Sequence, residues 1–243
     1  MPPTLELENL RVVLVSTRNP LNIGASARAM SNFGFTRLRL VNPYDPSFRE
    51  ARSAVGASAV LVQAEEYNSV ADAVADCTLV VGTTAGRNRE LHQPLRLPAD
   101  GARAIRKRLG AGRVALLFGS EKRGLSNEDL SHCHWLIRIP TSGKHLSMNL
   151  GQAVAVCLYE MVRSSATISK TEQFNLATAA EMERLTGTLI EALRASGYIK
   201  PRAATMTAEK VRRLVRRLSL SAEDAEAILG MLRQIVWKIH SSG

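Results

Sequence analysis

The 243-residue sequence predicts an α/β domain with a parallel sheet, followed by a small all-helical region. Three observations carry this prediction. Short apolar runs alternate with helical patterns, which indicates helices on both faces of a parallel sheet. Several of these runs are continuously Val, Leu and Ile, as in strands buried on both faces. After about residue 163 only helical spacing remains.

The individual elements follow from these patterns. Strands are predicted at residues 11–17, 37–42, 58–63, 77–84, 113–119 and 134–140. Helices are predicted at 22–33, about 67–76, about 98–109 and about 148–163. Parallel sheets bind ligands beyond the carboxyl ends of their strands. The loops at 18–28, 83–90, 119–126 and 140–149 are therefore the expected functional segments.

The C-terminal region is predicted as a three-helix unit. Polar residues without periodicity at 163–175 indicate a linker. Three apolar stripes at helical spacing follow, and they begin at Met182, Val211 and Ala225. The predicted domain boundaries are 1–164, 165–175 for the linker and 176–243. The middle helix carries four arginines opposite its apolar stripe, which indicate either a solvated face or an RNA contact: Arg212, Arg213, Arg216 and Arg217.

Charge and hydropathy indicate which class of binding partner and which cellular compartment to expect. The formal net charge is +10, which favours a polyanionic partner, RNA first and an anionic membrane surface second. No apolar stretch reaches the roughly 18 residues that a membrane span needs. The acidic opening "MPPTLELENLRVVLV" lacks the cationic region of a signal peptide. We therefore expect a cytoplasmic protein that does not enter membranes.

Neither a disulfide framework nor a metal site is expected. The three cysteines are odd in number and form no Cys-x-x-Cys pair. The segment "SHCHW" brings together His132, Cys133 and His134, but three adjacent side chains do not converge on one tetrahedral ion.

Nucleotide-binding motifs are incomplete. No Gly-x-Gly-x-x-Gly follows a strand, and "GSEKRGLS" (119–126) has Leu125 where a P-loop needs its lysine. Ser126 and Asp129 instead predict the cap of a short helix. Near the amino end, Asn22 suits a helix N-cap, and Arg28 emerges from a face of small residues, positioned for a phosphate or for solvent.

Three segments resemble the ordered motifs of one enzyme family. They are "NIGASARAM" (22–30), "LLFGSEKRGL" (116–125) and "IPTSGKHLSMNLGQAV" (139–154). They resemble the SpoU/TrmH branch of the SPOUT RNA 2'-O-methyltransferases, and the TrmJ subgroup fits best, since "RVVLV", "LVNP" and "VVGTTA" also match. The resemblance covers nearly the whole chain.

The resemblance implies a fold, a reaction and a set of residues. It implies a SPOUT-type domain with a C-terminal trefoil knot that forms an S-adenosylmethionine (SAM) pocket, in a homodimer. The implied reaction is methylation of a ribose 2'-hydroxyl at nucleotide 32 of tRNA, on cytidine or uridine. The implied cofactor contacts are Thr83, Thr84, Ala85, Gly119, Ile139, Leu146, Ser147 and Met148. The implied catalytic positions are Asn22, Arg28, Glu121, Ser147 and Asn149.

The sequence departs from the pattern of the subgroup at two positions. Ser120 stands where the subgroup usually has Arg, and Gly151 stands where Ala is usual. Lys144 and His145 add polar groups beside the third motif, where RNA would enter.

Ser147 fits either a helix cap or a catalytic group. Arg28 suits a phosphate clamp better than a base, because a guanidinium keeps its proton. The proton then passes to Ser147, a phosphate oxygen or water. A ribosomal RNA substrate and a non-catalytic RNA-binding module are the alternative functions.

Overall fold

The computed structural model describes residues 7–43, 56, 58–86, 91–142, 147–163, 175–199 and 204–241. The strands are β1 (Leu10–Val15), β2 (Leu38–Val41), β3 (Glu65–Tyr67), β4 (Leu79–Thr84), β5 (Leu95–Arg96), β6 (Val114–Phe118) and β7 (Trp135–Arg138). They form one seven-stranded sheet in the order β3-β2-β1-β6-β4-β7-β5, and every pairing is parallel. The predicted α/β class is confirmed.

Helices cover both faces of the sheet and form the C-terminal region. They are α1 (Pro20–Asn32), α2 (Ser58–Val62), α3 (Val70–Ala73), α4 (Pro98–Leu109), α5 (Asn127–Ser131), α6 (Leu150–Arg163), α7 (Ala179–Ala195), α8 (Ala204–Leu218) and α9 (Ala222–Ser241). None of the helices in the described ranges is long and apolar enough to cross a lipid bilayer.

One of the six predicted strands is wrong. Residues 58–62 form α2, and the third strand lies just beyond it at 65–67. A short apolar run does not distinguish a strand from a buried helical turn. In α2, Leu61 is fully buried whereas Val62 is 70% exposed, so only part of the run faces the core. The real strand, with two glutamates, and the two-residue β5 lie at the sheet edges, where short, charged strands are common.

The central strands are buried on both faces, as their continuous apolar runs predict. In β1, Val12 and Leu14 belong to one apolar cluster and Val13 and Val15 to another, because successive side chains point to opposite faces. The first cluster is covered by α1, α4 and α6. Helix α6 packs against both α1 and α4, and it therefore brings the third sequence motif against the first.

The contact between α1 and α6 depends on small residues. A Cβ added to Gly151 would lie 2.7 Å from the Cβ of Ala25 on α1. Real Cβ atoms do not approach this closely, so the two helices cross at a distance that only glycine permits at this position.

Replacing Gly151 with alanine should therefore push α1 and α6 apart. We expect a loss of about 1–3 kcal/mol in unfolding free energy, the usual range for overpacking, measured by denaturant unfolding. Adding Ala25→Gly should recover this packing loss, although glycine in a helix costs about 1 kcal/mol of its own. The Ala25→Gly single variant supplies that reference. Strictly additive effects of the two substitutions would show that this contact does not separate the helices.

The three predicted C-terminal helices are confirmed as α7, α8 and α9. They share an apolar cluster that includes Met182, Leu185, Val211, Val215 and Ala225. The start of α7 is attached to the α/β domain, because the Ala179 amide donates to the Cys77 carbonyl at 2.8 Å. Of the predicted linker, residues 165–174 lie outside the described residues. The predicted knot also stays a prediction.

Candidate active site

A pocket of about 300 Å³ opens at the carboxyl ends of β4, β6 and β7. Its walls come from the segments that follow these three strands and from the start of α6. This is the position at which a parallel sheet presents its loops to a ligand. Apolar side chains, including Leu125, Ile137 and Leu150, lie beside the hydroxyls of Thr83 and Thr84. The lining therefore offers both apolar side chains and hydrogen-bonding groups.

Most of the implied cofactor contacts meet here. The residues that line the pocket include Thr83, Thr84, Ala85, Gly119, Ile139, Ser147 and Met148. Leu146 lies outside the described residues, as do Lys144 and His145. Sequence reasoning missed Leu125, Ile137 and Leu150. In the sequence they are only apolar residues near a strand end or a helix start. Many residues that serve packing alone have the same feature.

The turn after β6 explains the glycines that resemble a P-loop. The Gly124 amide donates to the Ser120 carbonyl at 2.8 Å, and Gly124 has a φ of 67°, a left-handed conformation that favours glycine. A Cβ on Gly119 would lie 2.0 Å from the carbonyl carbon of Gly124. Gly119 is thus required by the chain's own turn. Just beyond it, Ser126 and Asp129 form the predicted capping box of α5.

A chain of hydrogen bonds links the three motifs. The Asn22 side chain donates to Glu121 Oε1 at 2.8 Å, and Asn149 Nδ2 donates to Asn22 Oδ1 at 3.1 Å. The second Glu121 oxygen accepts from the Arg18 amide at 3.4 Å. Asn22 is free to bridge because the N-cap of α1 is Asn19, which accepts from the Leu21 amide at 3.0 Å. The predicted N-cap role of Asn22 is wrong, since Pro20 starts the helix earlier.

The environment of Glu121 keeps its carboxyl group ionised. Partial burial raises its pKa, but hydrogen bonds from Asn22 and from the backbone amides of Glu121, Arg18 and Asn19 outweigh this, and the pKa is lowered. A carboxylate whose two oxygens both accept hydrogen bonds is a poor proton acceptor. Glu121 therefore holds Asn22 in place, and through it Asn149.

Asn149, rather than Ser147, caps α6. The Gln152 amide donates to Asn149 Oδ1 at 3.4 Å, and the Ala153 amide donates to the Asn149 carbonyl at 2.9 Å. The Asn149 amide group thus contacts the helix start and Asn22 at the same time. The cap interpretation of Ser147 is wrong. Ser147 instead lines the pocket as an exposed hydroxyl.

Arg28 lies apart from this pocket. Its side chain is exposed on α1, and a Cβ on Gly56 would lie 2.6 Å from Arg28 Nη1. Arg28 follows Asn22 by six residues, about 9 Å along the helix axis. Among the described residues, the pocket lining includes Glu121 and Ser147 but not Arg28.

Two of the four α8 arginines, Arg212 and Arg216, bind α8 to α7. Arg216 is 1% exposed and donates to Glu183 at 3.3 Å, so the prediction that it contacts RNA is wrong. Arg212 bonds Glu183 and the Ser131 hydroxyl, both at 3.0 Å. Arg213 pairs with Glu209 on its own helix at 3.5 Å. Arg217 is exposed. The RNA contact of Arg217 stays a prediction, and within the described part of the chain no hydrogen bond or ion pair assigns this side chain a structural role.

The residues of "SHCHW" make separate contacts. His134 Nδ1 accepts from the Val80 amide at 3.1 Å, and Cys133 Sγ contacts the Asp129 carbonyl at 3.7 Å. His132 Nδ1 lies 3.9 Å from Glu183. Burial lowers the pKa of both histidines to about 3, so both are neutral at physiological pH. Within the described ranges, no group of three or more His, Cys, Asp or Glu side chains is arranged to hold a metal ion.

Comparison with known proteins decides the family. The sequence model of the SpoU rRNA Methylase family matches residues 9–159, which include all three motifs and the pocket. The chain belongs to the SpoU methylase family. The resemblance seen in the sequence is thereby confirmed, and the protein is a methyltransferase.

Individual relatives extend the match into the C-terminal helices. The tRNA (cytidine/uridine-2'-O-)-methyltransferase TrmJ of Sodalis glossinidius is 35% identical over 238 residues, 94% of this chain and 92% of that protein. The crystal structure of TrmJ from Z. mobilis ZM4 has a TM-score of 0.83 and 33% identity, over 93% of this chain and 98% of that chain. An AdoMet-bound rRNA methyltransferase from Sinorhizobium meliloti has a TM-score of 0.51 and 25% identity, over 66% and 60% of the two chains.

Proposed function

We propose that this SpoU-family enzyme transfers the methyl group of SAM to the ribose 2'-hydroxyl of nucleotide 32, cytidine or uridine, in the anticodon loop of tRNA. The observation that carries the proposal is that the second and third motifs line one pocket, and hydrogen bonds join the first motif to its edge. The Glu121–Asn22–Asn149 chain fixes its edge, and Ser147 presents a hydroxyl inside it. A tRNA substrate also fits the net charge of +10 and a cytoplasmic location.

The pocket suits SAM as the cofactor. Its volume of about 300 Å³ lies at the lower end of the range for small-molecule sites. The apolar wall at Leu125, Ile137 and Leu150 fits a purine ring, and the backbone at 83–85 and 119 can approach a ligand closely. An AdoMet-bound structural relative supports this assignment. When bound, SAM supplies an electrophilic methyl group, so the protein must position a ribose hydroxyl and remove its proton.

The C-terminal helices favour tRNA over ribosomal RNA. The family match ends at residue 159, whereas the match to the Sodalis tRNA methyltransferase covers 94% of the chain. The shared additional part is the helical unit, which contacts the α/β domain through the Arg212–Ser131 and Ala179–Cys77 hydrogen bonds. Ribosomal RNA remains the second candidate, because the family description names it.

The roles of the site residues follow from their contacts. Asn149 is held by Asn22 and by the start of α6, so it has a fixed orientation for contact with the ribose. Ser147 is an exposed pocket hydroxyl that is not needed as a cap. We assign Ser147 to the proton path from the 2'-hydroxyl, directly or through water.

Arg28 is proposed to act on the pocket of a second copy in a homodimer. Arg28 and Leu21 lie seven residues apart and so share one stripe of α1. Leu21 is 55% exposed, and Tyr159 on the neighbouring α6 is 48% exposed. A second copy that covers this apolar surface places Arg28 at the interface. There it clamps an RNA phosphate for the partner's pocket.

Mixed dimers test this arrangement. Arg28→Ala and Ser147→Ala homodimers should each lose at least about 100-fold in methyl transfer, a typical loss for a proton-transfer or phosphate group. Co-expressed with two different tags and purified as a heterodimer, the two chains should form one intact site. We expect roughly half of the wild-type specific activity. An inactive heterodimer would place Arg28 in the pocket of its own chain, and a monomeric wild-type protein would rule out the dimer.

The proposed function itself is tested by incubating the protein with labelled SAM and total RNA, followed by mapping of the methylated nucleotide. We expect label in tRNA at nucleotide 32. Label in ribosomal RNA would establish the second candidate. SAM binding without transfer to any RNA would indicate a non-catalytic RNA-binding module.

A further inference from the structure

The turn after β6 carries two cations at the mouth of the pocket. Lys122 and Arg123 both line the pocket and are exposed. Their backbone is tightly held, because the Gly124 amide donates to the Ser120 carbonyl at 2.8 Å and the Arg123 amide contacts the Ser120 hydroxyl at 3.4 Å. The room that Gly119 leaves is filled by the far side of the same turn. These side chains therefore extend from a backbone that is held in place by hydrogen bonds.

Glu121, the acidic residue of this turn, is bound to the start of α1. Both oxygens of Glu121 accept hydrogen bonds from the start of α1, one from Asn22 at 2.8 Å and one from the Arg18 amide at 3.4 Å. The carboxylate is thus committed to the junction between the turn and α1. Arg18 adds a further exposed cation next to this junction. Lys122 and Arg123 are thus exposed basic side chains at the mouth of the pocket, with Arg18 on the neighbouring segment.

The geometry of RNA brings a phosphate to this edge. The 2'-hydroxyl and the 3'-phosphate of a nucleotide are attached to neighbouring carbons of one ribose. A 2'-hydroxyl placed beside Ser147 therefore brings its own 3'-phosphate to the mouth of the pocket. We propose that Arg123 binds the phosphate on the 3' side of the target nucleotide. This inference rests on the proposed function and names a specificity determinant for it.

The turn also accounts for the serine at position 120, where the subgroup usually has arginine. Ser120 closes the turn with its carbonyl and hydroxyl, and the arginine of this turn stands three residues later, on the side that lines the pocket. A contact with the 3'-phosphate restricts the substrate class. The enzyme should accept a nucleotide inside an RNA chain and reject a free nucleoside or a 3'-terminal ribose.

Steady-state kinetics on tRNA test the contact. Arg123→Ala should raise KM for tRNA about 10-fold, leave kcat within about two-fold and leave SAM binding unchanged. Its salt dependence should weaken by about 0.7–0.9 in the slope of log KM against log salt, the contribution of one phosphate. Arg123→Lys should retain most of the affinity. Arg103→Ala, at an exposed cation on α4 outside the pocket, should leave KM unchanged.

A substrate with one uncharged linkage identifies the phosphate. The probe is an anticodon stem-loop RNA with a methylphosphonate directly 3' of the target nucleotide. We expect the wild-type enzyme to lose about 10-fold in kcat/KM on this RNA, and Arg123→Ala to show no further loss. An equal loss in both enzymes, or an unchanged KM in Arg123→Ala, would overturn the inference while leaving the methyltransferase function intact. A wild-type enzyme that methylates no RNA would instead refute the proposed function.

Discussion

Replacing Gly119 with alanine should weaken SAM binding about 100-fold without unfolding the protein. The new methyl group would lie 2.0 Å from the Gly124 carbonyl carbon and 2.1 Å from the Leu125 amide nitrogen. Both neighbours are backbone atoms, so no side-chain rotation relieves the clash, and the turn must open. If opening costs about 3 kcal/mol, the upper range for overpacking, the SAM Kd rises about 100-fold. Isothermal titration calorimetry measures this directly.

A matched glycine supplies the control. Gly230 lies in α9, and within the described part of the chain an added Cβ there would have no heavy atom within 4 Å beyond its chain neighbours and the backbone of its own helix. Gly230→Ala should therefore leave SAM binding unchanged and stabilise the fold by about 0.5–1 kcal/mol through helix propensity. If Gly119→Ala bound SAM as well as the wild type does, the closed turn would not be part of the cofactor site.

Replacing Asp76 with asparagine should be the most destabilising change outside the pocket. Asp76 binds the guanidinium of Arg39 through two contacts, at 2.6 and 2.9 Å, and Arg113 at 2.7 Å. The Arg39 side chain is 6% exposed, so the substitution leaves a buried cation with the partly exposed Glu65, at 3.0 Å, as its carboxylate partner. We expect a loss of roughly 3 kcal/mol in unfolding free energy at neutral pH. Asp100→Asn, in an exposed pair with Arg103, should cost under about 1 kcal/mol.

The stability that Asp76 contributes to the fold depends on pH. Burial raises the Asp76 pKa, but the hydrogen bonds and charges of Arg39 and Arg113 dominate and hold it well below its ordinary value of 3.8. A lowered pKa contributes stability that is fully present above the unfolded value and is lost as the pH falls toward the folded value. The stability difference between wild type and Asp76→Asn should therefore shrink below about pH 4. A difference that stays constant in acid would mean that the ion pair does not stabilise the fold.

The fold class and the pocket could be predicted because their signals are local and repeated. Continuous apolar runs mark the central strands, and the second and third motifs extend beyond the ends of β6 and β7, where a parallel sheet places its ligands. The 58–63 run was wrongly predicted as a strand, because its four consecutive apolar residues fit a strand or a helical turn equally well.

Side-chain roles were harder to predict, because they depend on residues far apart in sequence. Asn149 and Ser147 are both suitable caps, and only the hydrogen bond from the Gln152 amide shows that the asparagine is used. The arginines of α8 read as a solvated face, since a helical pattern does not reveal whether another element covers it. Glu183, 33 residues from Arg216, provides that cover.

The position of the transferred methyl group is the most direct test of the central proposal. The measurement is mass spectrometry of nucleosides and of nuclease fragments from tRNA that the purified protein has methylated with isotope-labelled SAM. We expect the label on the ribose of a cytidine or uridine at nucleotide 32, and none when Ser147 is replaced with alanine. Label on a base, or on the ribose of another nucleotide, would contradict the proposed reaction.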